Sequence, residues 1–400
     1  MTLSSSLASS CFRVASLLTD PLCKAHEFYK LTSVTNHMHP DSSWFTKRGY
    51  NTLLLIKSLF LAAIALITTV LGVALRFTGN LIQKNPFISW ETVDSKQLPE
   101  NRTFTMASWN VCCMVAGFAI GENLPPWKYR IDRIVANILK KNTDVVCLYE
   151  TFDTSAAFMI AERLKSAGYH FGYFNIGARA LGVSSGLMVA SRYKIVNPEF
   201  TPFPKDTLLG VSKFSSKGFF TFNLESDATP FAKIITTHLQ HSEIAQWPTR
   251  EETEARGNEM TLIGRKAAET PRNLATIVTG DLNLDDKEYD TLGLGTLYDK
   301  GTPSLTESFP GNIRQQTGPL NLDHTMAVRN GAVRSIETTI DPGDIYNGLD
   351  YLCRSKIPCS DHRLLKTTIE LNLGAEHFRG VDPEVKVSFG DEVKSDGSSF

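Results

Sequence analysis

Along most of this chain apolar residues come in short runs broken by polar turns, and one stretch departs from that rule. Residues 52–75 read TLLLIKSLFLAAIALITTVLGVAL, and the 18 residues of 58–75 carry no charge. At ~1.5 Å rise per residue, such a helix approaches the roughly 20 residues needed to cross hydrocarbon. The run predicts one N-terminal transmembrane helix over 52–76, with Lys57 placed to extend its ammonium to the interface. It is too long, and starts too far along the chain, for a secretory signal. A buried core helix is the bland alternative, although soluble helices this uniformly apolar are uncommon. Lys47, Arg48 and Lys57 on one side, and Arg76 and Lys84 on the other, leave orientation and the choice of membrane undetermined. Residues 1–51 are rich in Ser, Thr and His without a sustained apolar period, which predicts a mobile segment, and 77–102 reads as a linker.

From about residue 103 the pattern alternates between strand-like and helical. FTMASWNVCC (104–113) and DVVCLYE (144–150) read as buried strands, and Ile131, Ile134, Val135, Ile138 and Leu139 recur between them at helical spacing. A second helix over 154–167 follows Asp153 or Thr154 as cap. Strand-like runs follow at 186–196, 217–225 and 231–240, then a long polar helix at 249–269. Further runs at 275–284, 322–330 and 360–371 close a domain predicted to span 103–372. The polar, Gly- and Ser-containing stretch 373–400 predicts a flexible tail.

Charge and cysteines narrow the function. Lys and Arg number 41 against 42 Asp and Glu, a net charge of −1, so the chain lacks the general attraction to polyanions expected of a nucleic-acid binder. The seven cysteines are scattered and form no CxxC pair, which argues against both a zinc site and a disulfide framework. Cys112, Cys113 and Cys147 read as core packing. Oligomeric state is not legible.

The informative chemistry sits at strand ends. Asn110 ends SWN, Glu150 ends CLYE and His238 ends TTH; Asp281 and Asn283 lie in GDLN, Asp323 in LDH, and Asp361 and His362 in SDH. Any one of these alone is an ordinary turn residue as often as not. Together they place carboxylates, amides and imidazoles where open sheets hold ligands, a set suited to a hard divalent cation with a paired acid and base. Oxygen donors without a cysteine ligand favour Mg²⁺ over Zn²⁺, with Mn²⁺ an alternative.

These landmarks, SWN, YE, TH, GDLN, LDH and SDH in that order, resemble the endonuclease/exonuclease/phosphatase superfamily. The resemblance implies an α+β fold, the four-layered α/β/β/α sandwich of the DNase I-like type. Within the superfamily, YETFD (149–153), SKGFF (216–220) and TTHLQHS (236–242) look like elements of neutral sphingomyelinases. The chain departs from that pattern where His241-Ser242-Glu243 replaces the usual acidic run and Thr151 the common Val. It also shows no plain aromatic hairpin for bilayer insertion near the carboxyl end, a function the apolar helix could supply.

The resemblance implies a phosphodiesterase with Mg²⁺ held by Glu150, Asn110 and Asp361. His362, oriented by Asp323, takes the proton of the attacking water; His238 stabilises or protonates the leaving oxygen. The two imidazoles could exchange roles. Asp281 and Asn283 position water and phosphate, and Lys217 is expected near the phosphate, or else is a solvated strand-edge residue. Asp350 in GLDYLCRS competes with Asp323 as the LDH-type carboxylate, with Asp323 favoured. The loop over 114–127 reads equally as a substrate-side loop or as one packing its own apolar residues. The expected activity is hydrolysis of sphingomyelin by a membrane-anchored, single-pass enzyme whose partners are the bilayer and its lipid. The competing readings are a nuclease, another phosphoesterase acting on inositol phosphates or phospholipids, and a non-catalytic membrane-bound module.

Overall fold

A computed structural model of the chain describes residues 3–38, 41–83, 86–92, 94–115, 124–178, 183–301, 318–341, 345–347 and 356–372. The helices are α1 (Leu3–Met38), α2 (Trp44–Ile82), α3 (Trp127–Lys141), α4 (Thr154–Ser166), α5 (Arg250–Ala268) and α6 (Asp286–Thr291). The strands begin with β1 (Ile88–Glu91), β2 (Thr103–Cys113), β3 (Val145–Thr151), β4 (Phe171–Phe174) and β5 (Met188–Ser191). They continue with β6 (Lys194–Pro202), β7 (Gly218–Ser226), β8 (Thr229–His238), β9 (Ala275–Asp281) and β10 (Tyr298–Lys300). The last are β11 (Asp323–Val328), β12 (Val333–Asp341), β13 (Ile345–Asn347), β14 (Lys356–Pro358) and β15 (Leu364–Leu371).

One sheet runs β1-β4-β5-β3-β2-β15-β12 and a second runs β10-β11-β9-β8-β7-β6. The alternation along β2 shows why two sheets stack. Phe104 and Met106 face Phe220, Phe222 and Ile234 of the second sheet, while Ala107 and Trp109 turn outward to Ile131 and Ile134 of α3 and Ile160 of α4. On the far side Met260 and Ile263 of α5 cover Phe219, Ile235 and Val278. The result is the expected α/β/β/α sandwich.

Two parallel pairs, β2 with β3 and β8 with β9, bring strand ends together. Asn110 lies opposite Tyr149, beside Glu150; His238 lies opposite Asp281, and Asp281 opposite Asp323. Since β15 pairs with β2 as Leu365 opposite Ser108, the SDH residues that precede β15 pass the end of β2 at Asn110.

Several boundaries differ from the sequence reading. The run at 186–196 divides into β5 and β6, and the runs at 275–284 and 360–371 lose their polar ends to loops, because those residues turn into the site. Residues 1–51 are not a loose segment: α1 fills most of them. Its inward face, Ala8, Phe12, Ala15, Thr19, Cys23 and Ala25, is built largely of small residues that hydropathy does not register. Helix α2 starts before and ends beyond the expected 52–76, and only Leu54, Ser58, Ala65, Gly72 and Gly79 are buried along it. The former "linker" supplies β1, an edge strand whose Trp90 covers Gly172, where a Cβ would stand 1.9 Å from the indole ring. Asp350, most of the 114–127 loop and the tail 373–400 lie outside the described residues.

Candidate active site

The sandwich gathers the predicted polar residues at one end of both sheets. Asn110 Nδ2 donates to Asp281 Oδ2 at 2.8 Å, joining the first sheet to the second, and Asn110 Oδ1 accepts from Cys112 N at 3.0 Å. Asp281 Oδ1 accepts from Asn283 N at 3.1 Å. His362 Nδ1 is 2.7 Å from Asp323 Oδ2, while its Nε2 lies 3.7 Å from Asp281 Oδ2. His238 Nε2 is also 3.7 Å from Asp281 Oδ2, so the Asp281 carboxylate stands between the imidazoles. The Nδ1 of His238 is buried with no hydrogen-bond partner among the described residues.

Local strain marks the site. Cys112, Glu150 and Asn283 have positive φ of 46°, 56° and 50°, uncommon for residues with a Cβ. The first two flank a register shift between β2 and β3, a bulge that turns the Glu150 side chain away from regular strand geometry.

Electrostatics separate the groups. Burial pushes the Asp281 carboxyl up to about 7; Asp323 and Glu150 add to the rise, and His362 opposes it. Burial, then Asp361, raises Glu150. For His362 burial disfavours the charge, but Asp323 and Asp281 outweigh it and hold the imidazole well above its usual range. His238 goes the other way, lowered well below the usual value by burial and the neighbouring Lys217. The two imidazoles are therefore unequal, shifted in opposite directions by the balance of burial and the charges that face them.

Lys217 is buried, and its ammonium donates to the carbonyls of His238, at 3.5 Å, and Leu239. It is not the solvated edge residue of the bland reading; it braces the β8 end and adds positive charge behind the histidines. Asn283 Nδ2 contacts the Leu239 carbonyl at 3.4 Å, so it too fixes this segment.

The fold agrees with comparison to known proteins. The Endonuclease/Exonuclease/phosphatase family matches residues 107–362. The chain belongs to that family. Members of the family and its fold are metal-dependent phosphodiesterases and related hydrolases. Among solved structures, SmcL aligns over 67% of this chain and 99% of its own at 21% identity and a TM-score of 0.53. Sphingomyelinase C from Streptomyces griseocarneus aligns over 66% and 99% at 19% identity and 0.56. Humanized D. rerio TDP2 aligns over 67% and 99% at 16% and 0.50. A search of curated proteins found no match.

The site's own chemistry fits a hard divalent cation. Ligand atoms of Glu150, His238 and Asp281 lie within 4.8 Å of one another, as do those of Asp281, Asp323 and His362. Four carboxylates share this pocket, and two are raised by burial and mutual repulsion, an excess of negative charge that a dication would relieve. A Staphylococcus aureus beta toxin structure, similar to this chain at 18% identity and a TM-score of 0.55, carries bound magnesium ions.

Sequence reasoning missed the supports. Ser360 Oγ donates to the Asn110 carbonyl at 2.6 Å, and Trp109 Nε1 to the His362 carbonyl at 2.9 Å. Both belong to the quoted motifs, which was the available signal. Behind His238, Glu259 accepts from Gln240 N at 2.8 Å, and Arg256 donates to the Gln240 carbonyl at 3.1 Å and to Glu288 at 2.9 Å through two nitrogens. In the sequence these belonged to a helix read simply as polar. No motif pointed to Arg130 either, whose guanidinium ties the carbonyls of Pro125, Val111, Cys112 and Cys359.

Proposed function

We propose that this protein is a membrane-attached, Mg²⁺-dependent phosphodiesterase that hydrolyses sphingomyelin to ceramide and phosphocholine. The observation that carries the reading is the His362–Asp323 pair aimed at a carboxylate pocket, within a fold shared with several sphingomyelinases. The T-H-L-Q element and the long apolar α2 support a lipid substrate.

Glu150, with Asn110 and Asp361, would hold the cation, which when bound neutralises charge on the phosphate oxygens and the leaving oxygen. Asp323 fixes the tautomer and orientation of His362, whose Nε2 accepts the proton of the attacking water. As the water oxygen bonds to phosphorus, the bond from phosphorus to the ceramide oxygen breaks. His238, kept neutral, donates a hydrogen bond to that departing oxygen, which takes its proton from solvent while His362 returns to solvent the proton it gained. Asp281 and Asn283 hold the phosphate and water between the imidazoles, and Lys217 contributes positive charge from beneath.

A nucleic-acid phosphodiesterase is the second reading, favoured by the TDP2 similarity. The full chain in mixed micelles with Mg²⁺ should release phosphocholine from sphingomyelin and fail to incise abasic duplex DNA. DNA incision without lipid hydrolysis would overturn the lipid reading; phosphatidylcholine or inositol phosphates as the better substrate would revise it.

A further inference from the structure

Helix α2 meets the rest of the protein along one narrow stripe, in which Ser58, Ala65, Gly72 and Gly79 recur every seven residues. That stripe is pressed against α1. A Cβ added at Gly72 would stand 2.9 Å from Thr19 Cγ2, and one at Gly79 2.9 Å from the Phe12 ring. Ser58 Oγ donates to the Ala25 carbonyl at 2.8 Å. The two helices therefore run antiparallel and in close contact along the apolar length of α2.

Helix α1 is fixed in turn to the catalytic body. Asp20 pairs with Lys128, and Glu27 accepts from Tyr129 Oη at 3.0 Å, both partners lying on α3. Ala8 and Phe12 join the apolar cluster of α3, α4 and the first sheet. Arg76 of α2 lies 3.7 Å from Asp153, the N-cap of α4. The body thus flanks the hairpin from the level of Arg76 to that of Ser58, whose partner Ala25 is two residues from Glu27. Eighteen residues separate these levels, about 27 Å at ~1.5 Å per residue, against a hydrocarbon layer of about 30 Å. If α2 stood upright across a bilayer with these contacts kept, α3, Asp20, Glu27 and Lys128 would lie at hydrocarbon depth, where charged groups are strongly disfavoured.

Away from this stripe α2 exposes large apolar side chains, with Phe60 66%, Leu66 76% and Ile67 70% exposed. Residues 42–90 contain five basic residues and no acidic one. That charge complements anionic headgroups, while the apolar run suits acyl chains.

We propose that α2 lies along the surface of an anionic bilayer with both of its ends on the same side, its bare face sunk among the acyl chains and α1 wedged between it and the catalytic body. This rests on the membrane attachment proposed above and replaces the expected single-pass topology. The structural reason is that one polar body runs alongside nearly the whole apolar length, which leaves no segment free to cross.

The test uses the full chain synthesised with sealed vesicles of phosphatidylcholine and phosphatidylserine and recovered by flotation. Asp41→Cys, before α2, and Glu100→Cys, after it, are each treated with a membrane-impermeant maleimide before and after detergent, with the unsubstituted chain as background. Both positions should label equally in intact vesicles and after lysis. Protection of one position until detergent is added would overturn the in-plane orientation and leave membrane attachment standing. Failure of the unsubstituted chain to float would remove the attachment and this inference with it. Stable dimers that no longer bind vesicles would assign the apolar face to a second copy and overturn the proposal.

Discussion

His362 Nδ1 sits 2.7 Å from Asp323 Oδ2, a pairing across 39 residues of sequence and between the two sheets. The loop before β15 carries His362, and the first residue of β11 carries Asp323. Because β11 pairs with β9, Asp323 also lies opposite Asp281, so one carboxylate orients the imidazole and the next faces its other nitrogen.

Replacing Asp323 by Asn keeps the shape but removes the charge that raises His362. The activity should fall by on the order of 10²–10⁴-fold, the scale of a general base. If the base must be deprotonated, the acidic limb of the kcat/KM profile should also move to lower pH, since the group raising the imidazole is gone. Loss of rate with an unmoved limb would separate Asp323 from proton transfer.

Glu150→Gln tests the cation site. The Glu150 carboxyl is raised in the folded state by burial and by Asp361, so its ionisation opposes folding increasingly as pH rises above the unfolded carboxyl range. Without metal, the variant should be at least as stable as the unsubstituted protein, by a wider margin at pH 8 than at pH 4. With Mg²⁺, only the unsubstituted protein should gain Tm, by preferential binding to the native state. Thermal scans at two pH values, with and without Mg²⁺, check both parts; an equal Mg²⁺-induced gain in the variant would take Glu150 out of the site.

The buried Arg256–Glu288 pair predicts a large stability effect. Arg256→Met leaves the Glu288 carboxylate without its cation and should cost about 3–5 kcal/mol in denaturant unfolding. The double variant with Glu288→Leu should recover part of that loss, because no charge is left stranded. Turnover by the single variant should fall beyond its loss of folded protein, since Arg256 also braces the Gln240 carbonyl behind His238.

Strand β1 fixes where a soluble fragment can begin. A start near Gln97 would delete Trp90, which caps Gly172 and donates to the Tyr169 carbonyl at 3.0 Å. A fragment beginning at Pro86 should exceed one beginning at Gln97 by on the order of 3 kcal/mol, the scale of losing a large aromatic. Equal unfolding midpoints would show that β1 adds nothing.

The polar landmarks were legible because each lies at one end of an apolar strand, and an apolar run bounded by Asn, Asp, Glu or His writes both the strand and its polar end into the sequence. The alternation and the helical spacing from Ile131 to Leu139 gave the order of strands and helices, whereas the four layers came from the family resemblance of the motifs. What the sequence could not contain was the join between sheets. Asn110 meets Asp281, and His362 meets Asp323, only through strand register and sheet stacking, which depend on pairings far apart in the chain. The opposite shifts of His238 and His362 come from the same source, since they depend on which charges the fold brings near and how far it excludes water. Likewise Arg256 and Glu259 look like any residues of a polar helix until burial makes their pairing obligatory. At the N-terminus, hydropathy identified α2 correctly as apolar. It missed α1, whose Ala, Ser, Thr and Cys stripe stabilises by close approach and shape rather than by apolar character, and shape complementarity exists only once two surfaces have met.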